Sequence, residues 1–239
     1  MKIGKALPDL LPPEFALAEL DTENAPESSA TDGRVARGQR TRRHVAEALM
    51  ELLREGDQEP TARAVAERAG VSLRLVFHHF TEMDDLYHYV AALQLRRQWS
   101  EMPRISSKLA LATRVERTIA HRAALYEDVS AIRRSLARRI PSSKRVTVTI
   151  AAADALLLEG LKETFEPELA ALSASSRLEL LEAMDVATSW EAWERLRTGS
   201  LLQTRGARRV MARMLDALCA PVAGARRSAQ AGVAAVAVS

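Results

Sequence analysis

The chain has 239 residues, 47% of them hydrophobic and 27% charged, with a formal net charge of +3, ten glycines and nine prolines. That mixture suits a globular protein with a sizeable core, and so few turn-forming residues beside plentiful Ala, Leu, Arg and Glu argue against a β-rich fold. Cys219 is the only cysteine, which excludes an internal disulfide or a Cys-based metal site and fits a reducing cytosol. No apolar stretch approaches the roughly 20 residues needed to span a bilayer. The start, M-K-I-G-K-A-L-P-D-L-L-P-P-E, lacks the uninterrupted apolar core of a signal peptide. The expectation is an all-α, soluble, cytoplasmic protein with no membrane partner and no cofactor.

Residues 1–33 hold seven acids against Lys2 and Lys5, a net −5, and read as a disordered acidic tail. Residues 34–46 hold Arg34, Arg37, Arg40, Arg42 and Arg43 with no acid. By position alone this arm suits a solvated helix start as well as it suits contact with nucleic acid. From Arg40 to Glu55, Val45, Leu49 and Leu52 recur at helical spacing, widened by Ala48 and Leu53, until Gly56 ends the pattern. Pro60-Thr61 opens a short helix, with Thr61 as its cap and Val65, Ala66 and Ala69 on its inner face. Gly70 closes it and Ser72 caps the next, whose Val76 and Phe80 share one face.

A longer helix is expected from Asp84 to about Trp99, with Leu86, Val90 and Leu93 on one side and Asp84-Asp85 at its positive end. Met102-Pro103 interrupts it. Further helices are expected near 107–126, 129–139, 144–165, 176–197 and 204–218. R-V-T-V-T-I over 145–150 alternates like a strand but runs without a break into A-A-A-D-A-L-L-L-E-G-L-K, and so is assigned to helix. In the last segment Val210, Met211, Met214, Leu215 and Leu218 form an apolar stripe, and Pro221 is expected to stop it. The expected division is an acidic tail over 1–33, a basic arm and a domain of short helices over 34–83, a longer helical domain over 84–220, and a flexible tail over 221–239.

Two short helices crossing steeply need a small residue at their contact, a Gly in the turn and a branched apolar anchor on the second helix. Ala66, Gly70 and Val76 supply these at the spacing of a helix-turn-helix. The outer face of the second helix would then enter a DNA major groove. Ser72, Leu73, Arg74, Phe77 and His78 lie on that face; Arg74 can make paired donations to guanine and Leu73 can touch a thymine methyl. Thr61 and Arg63 open the preceding helix, where phosphate or base-edge contact is natural.

The run T-A-R-A-V-A-E-R-A-G-V-S-L-R-L-V-F-H-H-F, with Leu86 six residues on, resembles the DNA-binding domain of the TetR family of transcriptional regulators. The resemblance covers about residues 38 to 90. It implies a homodimer that binds a palindromic operator on double-stranded DNA, usually as a repressor released by a small-molecule effector, with a helical C-terminal domain. It puts Thr61, Arg63, Ser72, Leu73, Arg74, Phe77, His78 and His79 at positions that approach DNA, and the arm adds Arg40 and Arg43. The chain departs from the family pattern where Gly-Thr-Leu-Tyr is common, having Arg74-Leu75-Val76-Phe77, and where a Lys commonly begins the next helix, having Met83 between Glu82 and Asp84. Three usual phosphate partners are therefore missing, and the acids are expected to repel the DNA backbone. The arm is expected to offset this, since each phosphate neutralised by Lys or Arg adds salt-sensitive affinity.

His78, His79 and His88 lack the i, i+4 spacing of a helical metal pair. His79 suits the core or a cap as well as phosphate. Trp190 and Trp193 fit packing between helices or a ligand pocket, and Trp99, His121 and Tyr126 are further candidates to line one. Leu178, Leu181, Val210, Met211, Met214 and Leu218 are candidates for a dimer interface built from the last two helices, and an inert thiol is the expectation for Cys219. No G-x-S-x-G, phosphate-cradling Gly loop or H-E-x-x-H is present, which argues against an enzyme. The alternative to a ligand-responsive repressor is a TetR-like protein with weakened DNA reading that acts through protein contacts.

Overall fold

The computed structural model of the chain describes residues 30–236, with side chains over residues 36–222. All but the last four positions of the expected acidic tail, and the side chain of Arg34, lie outside the described residues. Among the described residues the fold is all helical, as the composition requires. In chain order the helices are α1 Ala30–Arg54, α2 Ala62–Arg68, α3 Leu73–His79, α4 Met83–Glu101 and α5 Leu111–Arg139. They continue as α6 Lys144–Thr164, α7 Glu166–Ala170, α8 Ala174–Thr188, α9 Trp190–Glu194 and α10 Thr204–Val236, with a π-helical turn, Arg195–Gly199, after α9. Two compact units result, residues 30–101 with 129–155, and residues 102–128 with 156–236. The division drawn from sequence at residue 84 falls inside the first of these.

In the first unit Val45, Leu49 and Leu53 of α1 are buried against Val65 and Ala66 of α2, Val76 and Phe80 at α3, and Leu86 and Val90 of α4. Ile132 and Leu136 of α5 and Val146 and Ile150 of α6 join the same core. The 145–150 stretch is helical, as assigned: Val146 and Ile150 point inward four residues apart. Thr147 and Thr149 return their hydroxyl protons to the carbonyls of Ser143 and Arg145.

In the second unit the centre is a buried ion pair. Arg114 of α5 donates to both carboxylate oxygens of Glu168 in α7, at 2.6 and 2.8 Å, with both side chains at most 5% exposed. Two further protons go to the carbonyls of Leu109 and Thr164, and its guanidinium lies 5.4 Å from the Phe165 ring centroid. Cys219 of α10 is buried nearby, and burial, with Glu168 adding to it, pushes its thiol up to about 12. A thiol so held is protonated and unreactive at neutral pH.

Three expected boundaries are corrected. The two helices expected over 107–126 and 129–139 are one, α5, because nothing between Leu111 and Arg139 is a Gly or Pro to break it. The helix expected over 176–197 is instead divided at Ser189. That residue is extended (ψ 163°) and its hydroxyl accepts from the Ala192 N–H, so it ends α8 and caps α9 at once. Pro221 does not stop the last helix, which runs on to Val236. Pro221 and Ala217, whose carbonyl loses its donor, are both exposed, so water can replace the missing bond, and the Ala-rich sequence beyond favours helix.

Replacing Glu168 by Ala leaves the Arg114 charge buried without its partner. The second unit should lose about 3–5 kcal/mol, read as a fall in urea midpoint. The double replacement Arg114→Met with Glu168→Leu should cost clearly less, because no charge then stays buried.

Candidate DNA-binding surface

The turn between α2 and α3 is built from backbone geometry first. Gly70 has φ +61°, the Gly70 N–H bonds to the Glu67 carbonyl at 3.1 Å, and the Val71 N–H reaches back to the Ala66 carbonyl at 3.0 Å. This is the Schellman closure of a helix, and it needs a residue at ease with positive φ. Gly56 closes α1 in the same way at φ +103°, with the Asp57 N–H bonded to the Leu52 carbonyl at 3.1 Å.

Both new helices start on a hydroxyl cap. Thr61 Oγ1 accepts from the Ala64 N–H at 3.1 Å and Ser72 Oγ from the Leu75 N–H at 3.2 Å. Each hydroxyl keeps its own proton for a further acceptor, such as a phosphate oxygen.

α3 is anchored by Val76 and by Phe80 at its end, 1% and 2% exposed, and turns its other side outward. Leu73 and Phe77 are 37% and 47% exposed, and Arg74 and His78 are exposed beside them. Thr61 and Arg63 at the start of α2 are exposed too. The structure thus brings most of the residues singled out in the sequence to the α2–α3 pair.

His79 differs: it is half-buried, its ring 5.2 Å from that of His78. Burial, then the charges of His78 and Arg42, hold its pKa below the usual histidine value. Its Cε1 lies 4.0 Å from where a Cβ on Gly38 would stand. The α1 backbone at Gly38 is therefore beside the end of α3.

The arm itself divides by face. Arg37 and Arg40 are exposed, one turn apart. Arg43 approaches Glu47 at 3.6 Å and lines a cleft of about 400 Å³ between α1 and α4, with Arg54, Arg96 and Arg97. Arg42 turns inward, its guanidinium 5.2 Å from the Phe80 ring and 4.9 Å from the Tyr89 ring, and pins the end of α3 to α4. The opposite end of the motif is tied by His44, whose Nε2 is 3.1 Å from the Ala69 carbonyl.

Of the acids beside Met83 that were expected to repel a phosphate, Glu82 is exposed, whereas Asp84 is held by an arginine, as is Asp85. Arg139 donates to Asp84 at 2.5 Å while stacking 3.6 Å from the Tyr87 ring centroid, and Arg145 donates to Asp85 at 2.7 Å. Met83, where a Lys is common, packs on the core. Sequence reasoning missed Arg42, Arg139 and Arg145, since pairing across 38 to 60 positions leaves no local signal.

The other candidates fall as follows. Trp99 belongs to the first unit; His121, Tyr126 and Trp190 belong to the second. The Tyr126 hydroxyl donates to the Thr188 carbonyl at 2.8 Å and accepts from Arg122 at 3.1 Å, and its ring packs 6.3 Å from Trp193. Of the interface candidates, Leu181 and Met211 are corrected: at 7% and 0% exposure they face the chain's own core, where α8 packs on α10. Leu178 is exposed, and Val210, Met214 and Leu218 are half-buried.

Residues 45–90 match the model of the bacterial regulatory proteins of the tetR family. No curated protein matches the chain. Among the described residues no helix is long and apolar enough to cross a membrane.

His88 of α4 gives this unit a pH dependence. Burial, then the Arg145 charge, push its pKa down to about 4, against a smaller opposing effect of Asp85. Between the unfolded value near 6.5 and 4, the unfolded chain binds a proton that the folded one refuses. Stability is therefore full above about pH 6.5 and is lost as pH falls toward 4. Urea midpoints at pH 7.5 and 4.5 should show the wild type losing about 1–2 kcal/mol more than His88→Gln, solvent screening allowed for.

Proposed function

We propose that this member of the tetR family, a DNA-binding transcriptional regulator, is a cytoplasmic repressor that binds a palindromic operator as a homodimer and is released by a small-molecule effector. The observation that carries the reading is the α2–α3 pair. Its turn geometry, caps and buried anchors present Leu73, Arg74, Phe77 and His78 together on one outward face. In this reading Arg74 pairs with a guanine edge, and Leu73 and Phe77 touch thymine methyls. Phosphate contact falls to Thr61, Arg63, Ser72, His79, Arg37, Arg40 and Arg43. The pairing of Asp84 and Asp85 with arginines supports this assignment, because it removes the repulsion their charges would exert.

Dimerisation would set two copies of α3 at successive major grooves, roughly 34–36 Å apart. Of the residues expected at the interface, Leu178 of α8 and Val210, Met214 and Leu218 of α10 are still open to a partner. An effector in the second unit would act by favouring a state with another spacing, and its leverage is its difference in affinity between the two states. His121, Tyr126, Trp190 and, in the first unit, Trp99 are the residues proposed to respond to it.

A second reading draws on Leu73 and Phe77, two large apolar side chains exposed on one short helix. Such a patch also suits contact with a protein partner in a chain that has lost strong DNA reading.

Selection of bound duplexes from random DNA at two salt concentrations separates the readings. A palindromic consensus is expected; retention that is non-specific, or none at low salt, would favour the protein partner. On the selected operator, Arg74→Ala should cost about 1–3 kcal/mol and relax one base position. Arg40→Ala should weaken all sequences alike and lower the salt slope by about one. Met214→Glu should give a monomer in sedimentation analysis and abolish tight operator binding.

A further inference from the structure

The second unit carries a groove of about 650 Å³ between the start of α5 and the first turns of α10. One side bears Arg205, Arg208, Arg209 and Arg213. Val115 and Ile119 of α5, both buried, give the groove an aliphatic floor, and the exposed Ala112 of α5 and half-buried Ala212 of α10 add to the lining. Glu116 and Asp216 complete the lining.

Arg205, Arg209 and Arg213 stand four residues apart in one column, and like charges at that spacing repel. Glu116 and Asp216 offset the repulsion only in part, two charges against four. Among the described residues these guanidinium groups make no hydrogen bond or ion pair. Elsewhere in the same unit Arg114, Arg122 and Arg197 are each engaged by a carboxylate or a carbonyl.

We propose that this groove binds an amphiphilic anion, a single carboxylate or phosphate head on an aliphatic chain. Guanidinium forks recognise either head through paired charge-assisted hydrogen bonds. Four arginines against two acids leave the lining at net +2, enough for one mono- or dianionic head. The acids count against a polyanion or a flat anionic lipid surface, which would have to pass over them. The floor receives the chain, with no aromatic ring among its residues for a planar ligand to stack on. The volume falls within the roughly 300–1,000 Å³ of small-molecule sites.

The groove is also distinct from the face proposed for pairing. Val210 and Met214 stand five residues beyond Arg205 and Arg209, about 140° further round the helix. An effect of the anion on operator affinity rests on the regulator reading; its binding does not.

Calorimetry on the full chain without DNA tests the binding alone. The probes are decanoate, decyl phosphate, acetate, decyltrimethylammonium and anionic phosphatidylglycerol vesicles, the soluble amphiphiles below their micelle concentrations. Decanoate or decyl phosphate should bind one per chain, acetate at least tenfold more weakly, and the cation not at all. Arg209→Ala with Arg213→Ala should weaken the amphiphile at least tenfold. Ala112→Trp, which fills the groove and keeps every charge, should do the same while leaving the circular dichroism spectrum unchanged. Equal binding of acetate, binding of the vesicles but of neither soluble anion, or affinity unchanged in both variants would overturn the site. So would binding that appears only after residues 1–29 are deleted, because the acidic tail would then be the occupant.

Discussion

The positive φ of Gly70 is the constraint on which the first unit depends. It lets the Val71 N–H close α2 onto the Ala66 carbonyl, and it lets the chain restart two residues later on the Ser72 hydroxyl. A side chain there would meet no neighbour, so the requirement is conformational and not steric. For an L-residue the left-handed region costs about 1–2 kcal/mol. That strain would act to tilt α3 against its two apolar anchors, Val76 and Phe80, and against the Arg42 contact on the Phe80 ring. The outward face of α3 is thus a consequence of one backbone angle and two apolar anchors.

Arginine does the remaining positioning, by different physics in each place. Arg42 lies over two aromatic rings, Phe80 and Tyr89, and joins the end of α3 to α4. Arg139 combines a stacked ring with the Asp84 carboxylate, and so ties the end of α5 to the start of α4. Arg114 is buried, which is tolerable only because Glu168 and two carbonyls together take up four of its five protons. A planar, permanently charged group with several donors can do all three; a lysine, with a compact and strongly hydrated charge, would serve poorly at any of them.

The local parts of this structure were legible in the sequence because their signals are local. Gly56, Thr61, Gly70 and Ser72 act within four residues of themselves, and Val76 and Phe80 declare one face by spacing alone. The breaks at Ser189 and Pro221 were misjudged for a related reason. A serine inside an apolar-periodic run looks like continuation until its hydroxyl is seen capping the next turn, and a proline looks like an end unless its side of the helix is known to be open to water. Leu181 and Met211 share a stripe with residues that remain partly open, and a stripe does not say which edge the chain keeps for itself. Arg42 shows the limit most plainly, for its neighbours at 40 and 43 are exposed or surface-paired while it alone turns inward onto two rings.

α10 shows how much one helix is asked to do. Ala207, Met211, Leu215 and Cys219, four residues apart, are all fully buried. Val210, Met214 and Leu218 lie on one flank of that stripe and Arg205, Arg209 and Arg213 on the other. A helix with a single apolar face and an otherwise mixed surface would need only the first set. The second set costs exposed apolar area and the third costs like-charge repulsion. Within the described chain Glu116 and Asp216 relieve the like-charge cost only in part. Both are relieved at once if α10 has an apolar partner on one flank and an anion on the other, and that joint relief is the physical reason for assigning the two flanks to different ligands.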